Sequence, residues 1–138
     1  MSVPVNERSR GKLEACVKAR ELCAYTIKIT SNQKIFNPEY QQALTDRSVK
    51  AALEVHTMSW SANNVLVNSA VDMQRRLDYQ DRAADASNNL LSLIEIAKPV
   101  FHLATKRVTY WSGLAIETRK LLLAWRDADR KRYSAKFK

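Results

Sequence analysis

The sequence predicts an all-α protein, an up-down-up-down four-helix bundle, on three observations. Apolar and small residues recur at steps of three and four over four separate stretches, and no stretch shows the alternation of a half-buried strand. Only two glycines and three prolines occur in 138 residues, which leaves little material for tight turns and suits long helices. The connections between stretches are mostly short, so consecutive helices run antiparallel. A chain of this length is one domain, large enough to bury a core without metal or disulfide.

The organising stretch is 103–132. Val108, Trp111, Ala115, Thr118, Leu122 and Trp125 form one apolar row, and Trp111, Leu114, Thr118, Leu121, Trp125 and Ala128 form a second beside it. Together they describe one face of a last helix, anchored by two tryptophans. Gly113 inside this helix costs about 1 kcal/mol against alanine, and its expected use is a close approach by a neighbouring helix.

From the N-terminus, residues 1–10 carry no apolar period and read as a flexible lead; the bundle is expected over 11–130, with 131–138 as a basic tail. The first helix is expected over 11–29, with Cys16, Ala19, Cys23 and Ile27 on one face and Ala15, Leu22 and Ile29 flanking it. Cys16 and Cys23, seven residues apart, would stand about 10.5 Å apart along a helix, too far for a bond to each other. Both read as small core residues, with an intersubunit bond or reactive thiol as the alternatives. Residues 30–37 lack a stripe and form a loop under which Ile35 and Phe36 close the core.

Asn37-Pro38 starts the second helix, asparagine as cap and proline in the first turn. Leu44, Ser48, Ala51, Val55, Met58, Ala62, Val65 and Ser69 follow in near-heptad steps, the repeat of helices crossing at roughly 20°. A break is expected near Asn68-Ser69, where Ser69 and Asp72 can form a capping box; Asn63 and Asn64 leave an earlier break open. The third helix aligns Arg76, Gln80, Ala83, Ser87, Leu90, Ile94, Ala97 and Phe101, polar in its first half even on the inward line. Pro99 kinks or ends it. A very short connection over 104–107 leads into the last helix.

Charge is distributed unevenly. The net +9 is concentrated at the termini: residues 1–37 hold seven basic and three acidic groups, and residues 106–138 hold ten and three. The two middle stretches, 38–69 and 70–105, each sum to −1. A basic end of this kind points to a polyanion, with plain solubility as the competing explanation. Arg119, Arg126 and Arg130 lie at i, i+7 and i+11 on one helix face. Arg107, Lys120, Lys131 and Arg132 extend the charge, and Tyr133 with Phe137 offers planes for unpaired bases. The candidate nucleic-acid-binding residues are therefore Arg107, Arg119, Lys120, Arg126, Arg130, Lys131, Arg132 and Tyr133. Contacts of this kind are salt-sensitive and largely blind to base sequence.

Catalytic chemistry has no matching constellation. There is no phosphate-binding glycine loop, nucleophile elbow or metal-ligand spacing, and His56 and His102 stand alone as boundary residues. No catalytic residue, metal ligand or cofactor is assigned. A haem or cobalamin carrier would need ligands the sequence does not supply. No apolar run approaches the ~18 residues that span a bilayer, and residues 1–30 lack a signal-peptide core, so a cytoplasmic protein with no membrane partner is expected.

The order Leu13, Ala19-Arg20-Glu21-Leu22, Ala62-Asn63, Arg75-Arg76, Gln80, Ala83, Leu90, Ile94, Ala97, Lys106-Arg107, Trp111, Leu121-Leu122, Trp125 resembles the Avd-like four-helix bundles. These are accessory variability determinants of diversity-generating retroelements, related to bundle proteins encoded within rRNA intervening sequences. The likeness covers roughly residues 12–130 and is strongest over 90–125. The Asn-Ile-Ala-Glu-Gly feature of the rRNA-associated branch is absent near Ala62-Asn63, which favours the Avd side. The resemblance implies a non-catalytic, basic bundle that assembles as a homopentamer. It further implies binding to template RNA, and to DNA, and association with a reverse transcriptase during mutagenic copying into a variable gene. The competing reading is a structural or adaptor bundle that binds an acidic protein or rRNA.

Overall fold

The computed structural model describes residues 5–137, with side-chain surroundings from residue 14 onward. Among these residues there are four long α-helices and no strand: α1 (Val5–Thr30), α2 (Asp46–Asn63), α3 (Ala70–Phe101) and α4 (Thr105–Lys136). Each helix packs on its neighbours in sequence, and α1 closes the ring against α4. This is the antiparallel four-helix bundle that the periodicity predicts. No helix among the described residues is long and apolar enough to cross a membrane.

The helix ends differ from expectation in several places. α1 is already helical at Val5, inside the stretch expected to be a flexible lead; residues 1–4 lie outside the described residues. Glu7, Arg8 and Arg10 are good helix formers, and a weak apolar period does not prevent a helix from extending. At the other end, 131–136 continue α4 instead of leaving it as a tail. The α3–α4 connection falls at 102–104, earlier than 104–107. Pro99 is accommodated in the last turn, and the chain leaves the helix at His102 in the left-handed region (φ 53°). The Leu103 and His102 amides both donate to the Lys98 carbonyl there, the usual way of satisfying a helix's last acceptors.

The second helix begins where the Asn37-Pro38 pair places it, but in steps. The Asn37 side chain accepts from the Glu39 amide at 2.9 Å, a 3₁₀ turn covers Pro38–Tyr40, a wide π turn covers Gln41–Thr45, and regular α2 follows. It ends at Asn63, the earlier of the two expected breaks. Ser69 caps α3, its hydroxyl accepting from the Asp72 amide at 3.1 Å, while the Asp72 carboxylate accepts the Asn68 amide at 3.1 Å.

All eight residues of the inward line of α3 are buried, including Arg76 and Gln80. The line expected for the second helix is buried at Leu44, Ser48, Ala51, Val55, Ala62 and Val65 and half-buried at Met58 and Ser69, although Leu44 precedes α2 and Val65 and Ser69 follow it. The serines fit because each hydroxyl donates to the carbonyl one turn back: Ser48 to Leu44, Ser59 to Val55 and Ser87 to Ala83. The donor is satisfied within its own helix, so a small side chain can face a close neighbour.

The inward line of α1 is Ala15, Ala19, Leu22, Thr26 and Thr30, not the line through Ile27, which is 41 % exposed. The spacing of four, three and four through Leu22 and Thr26 places the two threonines where apolar residues were expected. Thr26 is buried because it serves Trp111, whose indole N–H donates to the Thr26 hydroxyl at 2.9 Å. That hydroxyl in turn donates to the Leu22 carbonyl at 2.8 Å. Cys23 is buried and its thiol is pushed up by that burial; Cys16 is half-buried against the core.

Phe36 closes the end of the bundle as anticipated, its ring 4.9 Å from Phe101 and 6.1 Å from Trp111. Gly113 does not mediate a close approach. It is exposed, and a Cβ there would meet nothing within 4 Å. Its absent side chain only loosens α4, so Gly113→Ala is expected to stabilise the protein by about 0.5–1 kcal/mol. A rise in the urea midpoint at unchanged m-value checks this; a loss of stability would show that the site is crowded after all.

Candidate nucleic-acid interface

The last third of α4 carries most of the candidate side chains on a helix held from below. Leu122 and Trp125 are buried, and the next residue on that inward line is Asp129, 3 % exposed. Ala128, expected on the inward row, is exposed. The charged residue points inward because α3 presents two buried donors opposite it. Arg76 Nε lies 2.7 Å from Asp129 Oδ2, and Gln80 Nε2 donates to the same oxygen at 2.7 Å. The Arg76 guanidinium also stands over the Trp125 ring, 5.2 Å from its centroid, and its Nη1 is 3.5 Å from the Val65 carbonyl. This pair is shut off from water and hydrogen-bonded on several sides, the condition under which a buried ion pair is tolerated.

The other oxygen of Asp129 faces outward and accepts from Arg132 Nη2 at 2.9 Å. Arg132 in turn donates to the Tyr133 hydroxyl at 2.7 Å, with its guanidinium 4.4 Å from the Tyr133 ring centroid. Tyr133 stacks on Phe137 at 6.4 Å with 23° between the ring planes, and Lys136 Nζ lies 5.4 Å from the Phe137 centroid. A chain of contacts thus runs from the bundle interior to the two terminal rings.

Of the eight candidate residues, five lie together at this end: Arg126, Arg130, Lys131, Arg132 and Tyr133. Arg126 is held by Asp81 of α3, with Nε 2.8 Å from Oδ1 and Nη2 3.2 Å from Oδ2. Arg130 and Lys131 share Asp127 at 3.0 and 3.1 Å. The Arg130 hydrogen bond first, and Lys131 second, hold the Asp127 carboxyl below its ordinary range. Such exposed pairs are weak and exchange readily with another anion. Arg119 and Lys120 stand two to three turns back, both exposed and ion-paired with no described residue. Arg107 is not part of the cluster. It lies at the start of α4, about 35 Å away by helical rise, half-buried near Tyr25. Burial there pushes the Tyr25 phenol up, and the Arg107 charge offsets part of the rise.

Arg76, Gln80 and Asp129 did not emerge as site residues from the sequence. The signal was present in the spacing: two polar residues at i and i+4 on the inward line of α3, and an acid four residues beyond Trp125 on that of α4. Val65 also borders an open cleft of about 500 Å³ between the end of α2 and the start of α3. Around that loop Trp60, Leu66 and Val71 are 62, 80 and 70 % exposed.

Comparison with protein-family models, curated proteins and solved structures returns no match. The functional reading therefore rests on this geometry, the charge distribution and the resemblance noted above. Between residues 126 and 136 there are five cations against two carboxylates; with the cross-helix partners Arg76 and Asp81 included, six cations face three carboxylates. The remaining surplus, carried on a rigid helix beside two planar rings, is suited to phosphate contacts and base stacking.

Proposed function

We propose that the protein is a non-catalytic nucleic-acid-binding accessory subunit of a reverse transcriptase, acting with template RNA in a diversity-generating retroelement. The observation that carries the nucleic-acid half of this reading is the C-terminal third of α4, where cations in excess of their carboxylate partners adjoin stacked rings. The polymerase half rests on the Avd-like order of residues through 12–130. An accessory subunit also needs a protein-facing surface, and Trp60, Leu66 and Val71 offer exposed apolar side chains at the same end of the bundle. On this reading the protein works in the cytoplasm as a homo-oligomer, a pentamer by resemblance, and DNA is a second ligand through the same phosphate chemistry.

The test is co-purification with a reverse transcriptase encoded in the same genomic neighbourhood, with and without its template RNA. Stoichiometric association that survives moderate salt is expected. If neither polymerase nor RNA is retained, the proposal fails, and the adaptor reading with an acidic protein partner takes its place.

A further inference from the structure

We infer that the end of α4 is a stacking platform for unpaired bases, so that the nucleic acid it takes is single-stranded. This inference rests on the nucleic-acid-binding reading above and names the class of ligand at that site. Three observations carry it. Arg119, Arg130 and Tyr133 follow at i, i+11 and i+14 along about 21 Å of one helix face, with Arg126 between them engaged by Asp81, and Phe137 stands just past the helix end beside Tyr133, so the two rings continue the line of arginines. The rings are half-exposed and already stacked, their centroids 6.4 Å apart with 23° between the planes. The Arg132 plane is fixed against Tyr133 by Asp129, whose second oxygen is locked to Arg76 and Gln80 inside the bundle.

The chemistry follows from that arrangement. A strand laid along the face meets cations spaced for its phosphates and then rings that match its bases. Every base has a π-face, so stacking tolerates any sequence, but a base must be unpaired and splayed out to offer it. In a duplex those faces are occupied by neighbouring pairs, and only the phosphates remain available. Because the ring pair is held before the ligand arrives, little side-chain freedom is lost on binding. Asp129 is a positioning residue in this scheme: it touches no ligand and acts by holding Arg132.

Anisotropy titrations with labelled oligouridine, oligothymidine and an RNA duplex, each of about 15 nucleotides per strand, distinguish the outcomes. The full-length protein is expected to bind both single strands more tightly than the duplex. Tyr133→Leu with Phe137→Leu should lower affinity for both single strands by about tenfold or more and leave the duplex unchanged. The exchange Tyr133→Phe with Phe137→Tyr keeps both planes and should keep wild-type affinity. Arg130→Gln with Lys131→Gln should weaken all three probes. As a readout independent of the leucine pair, Tyr133→Trp should show indole fluorescence quenched by oligouridine. The inference is overturned if the duplex binds as well as the single strands, if the leucine pair weakens all probes alike or none, or if the indole is not quenched; in those cases nucleic-acid binding itself still stands. If the wild-type protein binds none of the probes, the underlying function falls with it.

Discussion

Asp129→Ala is expected to destabilise the bundle by about 3–5 kcal/mol, the cost of leaving one member of a buried ion pair uncompensated. Arg76 and Asp129 side chains are only 9 and 4 % exposed, so water cannot take the place of the lost carboxylate without opening the α3–α4 seam. Gln80 loses its acceptor in the same step, and its own Oε1 is already buried without a partner. The origin of the loss is checked by a second variant. Replacing Arg76 by Met, Gln80 by Leu and Asp129 by Leu together removes every stranded polar group, and should recover most of the stability. Urea unfolding of both proteins measures this. A loss below about 1 kcal/mol for Asp129→Ala would mean that Arg76 reaches solvent and that the pair does not hold α4 in place.

The second large effect is on binding. Affinity for single-stranded RNA is expected to fall about 50-fold between roughly 50 and 200 mM monovalent salt if Arg119, Lys120, Arg130 and Lys131 each neutralise one phosphate, since each contact contributes a log–log slope of about −0.7. Arg126 is left out of this set because its guanidinium is engaged by Asp81, and Arg107 because it lies at the other end of the helix. Changing the four to glutamine should flatten the slope towards zero, and restoring any one should return about a quarter of it. A slope unaffected by the four changes would place the phosphate track elsewhere, with the α1 cations such as Arg20 next in line. The ring variants bear on a different quantity. They should change affinity at every salt concentration while leaving the slope as it was, because stacking releases no counterions.

The physical reason α4 can present charge along its outer face lies in how its two faces are used. Trp111 spends its indole N–H on Thr26 of α1, and Asp129 spends its charge on α3, so the helix is clamped to both neighbours at points about 27 Å apart by helical rise. Between and beyond those clamps the outer face is free to carry charge. The exposed ion pairs there, Asp127 with Arg130 and Lys131, are solvated and contribute little to holding the fold.

Periodicity and breakers determined the bundle by themselves. The spacing of Arg76 through Phe101 defined a face that is buried at every position, and Asn37-Pro38 and Ser69–Asp72 marked helix starts that the chain uses. These signals are local, and local signals survive without knowledge of what packs against them. The concentration of charge in the last thirty-odd residues was equally legible, since it is a count. What only the tertiary structure decided is where long-range partners override the apolar pattern. Thr26 displaces Ile27 from the α1 core because Trp111, 85 residues away, needs an acceptor. Asp129 turns inward and Ala128 outward because Arg76, 53 residues away, needs a counter-ion. For the same reason Arg126 leaves the set of unengaged cations. A polar residue on an inward line is ambiguous until its partner is known, and the partner is fixed by the packing of helices rather than by neighbours in the chain.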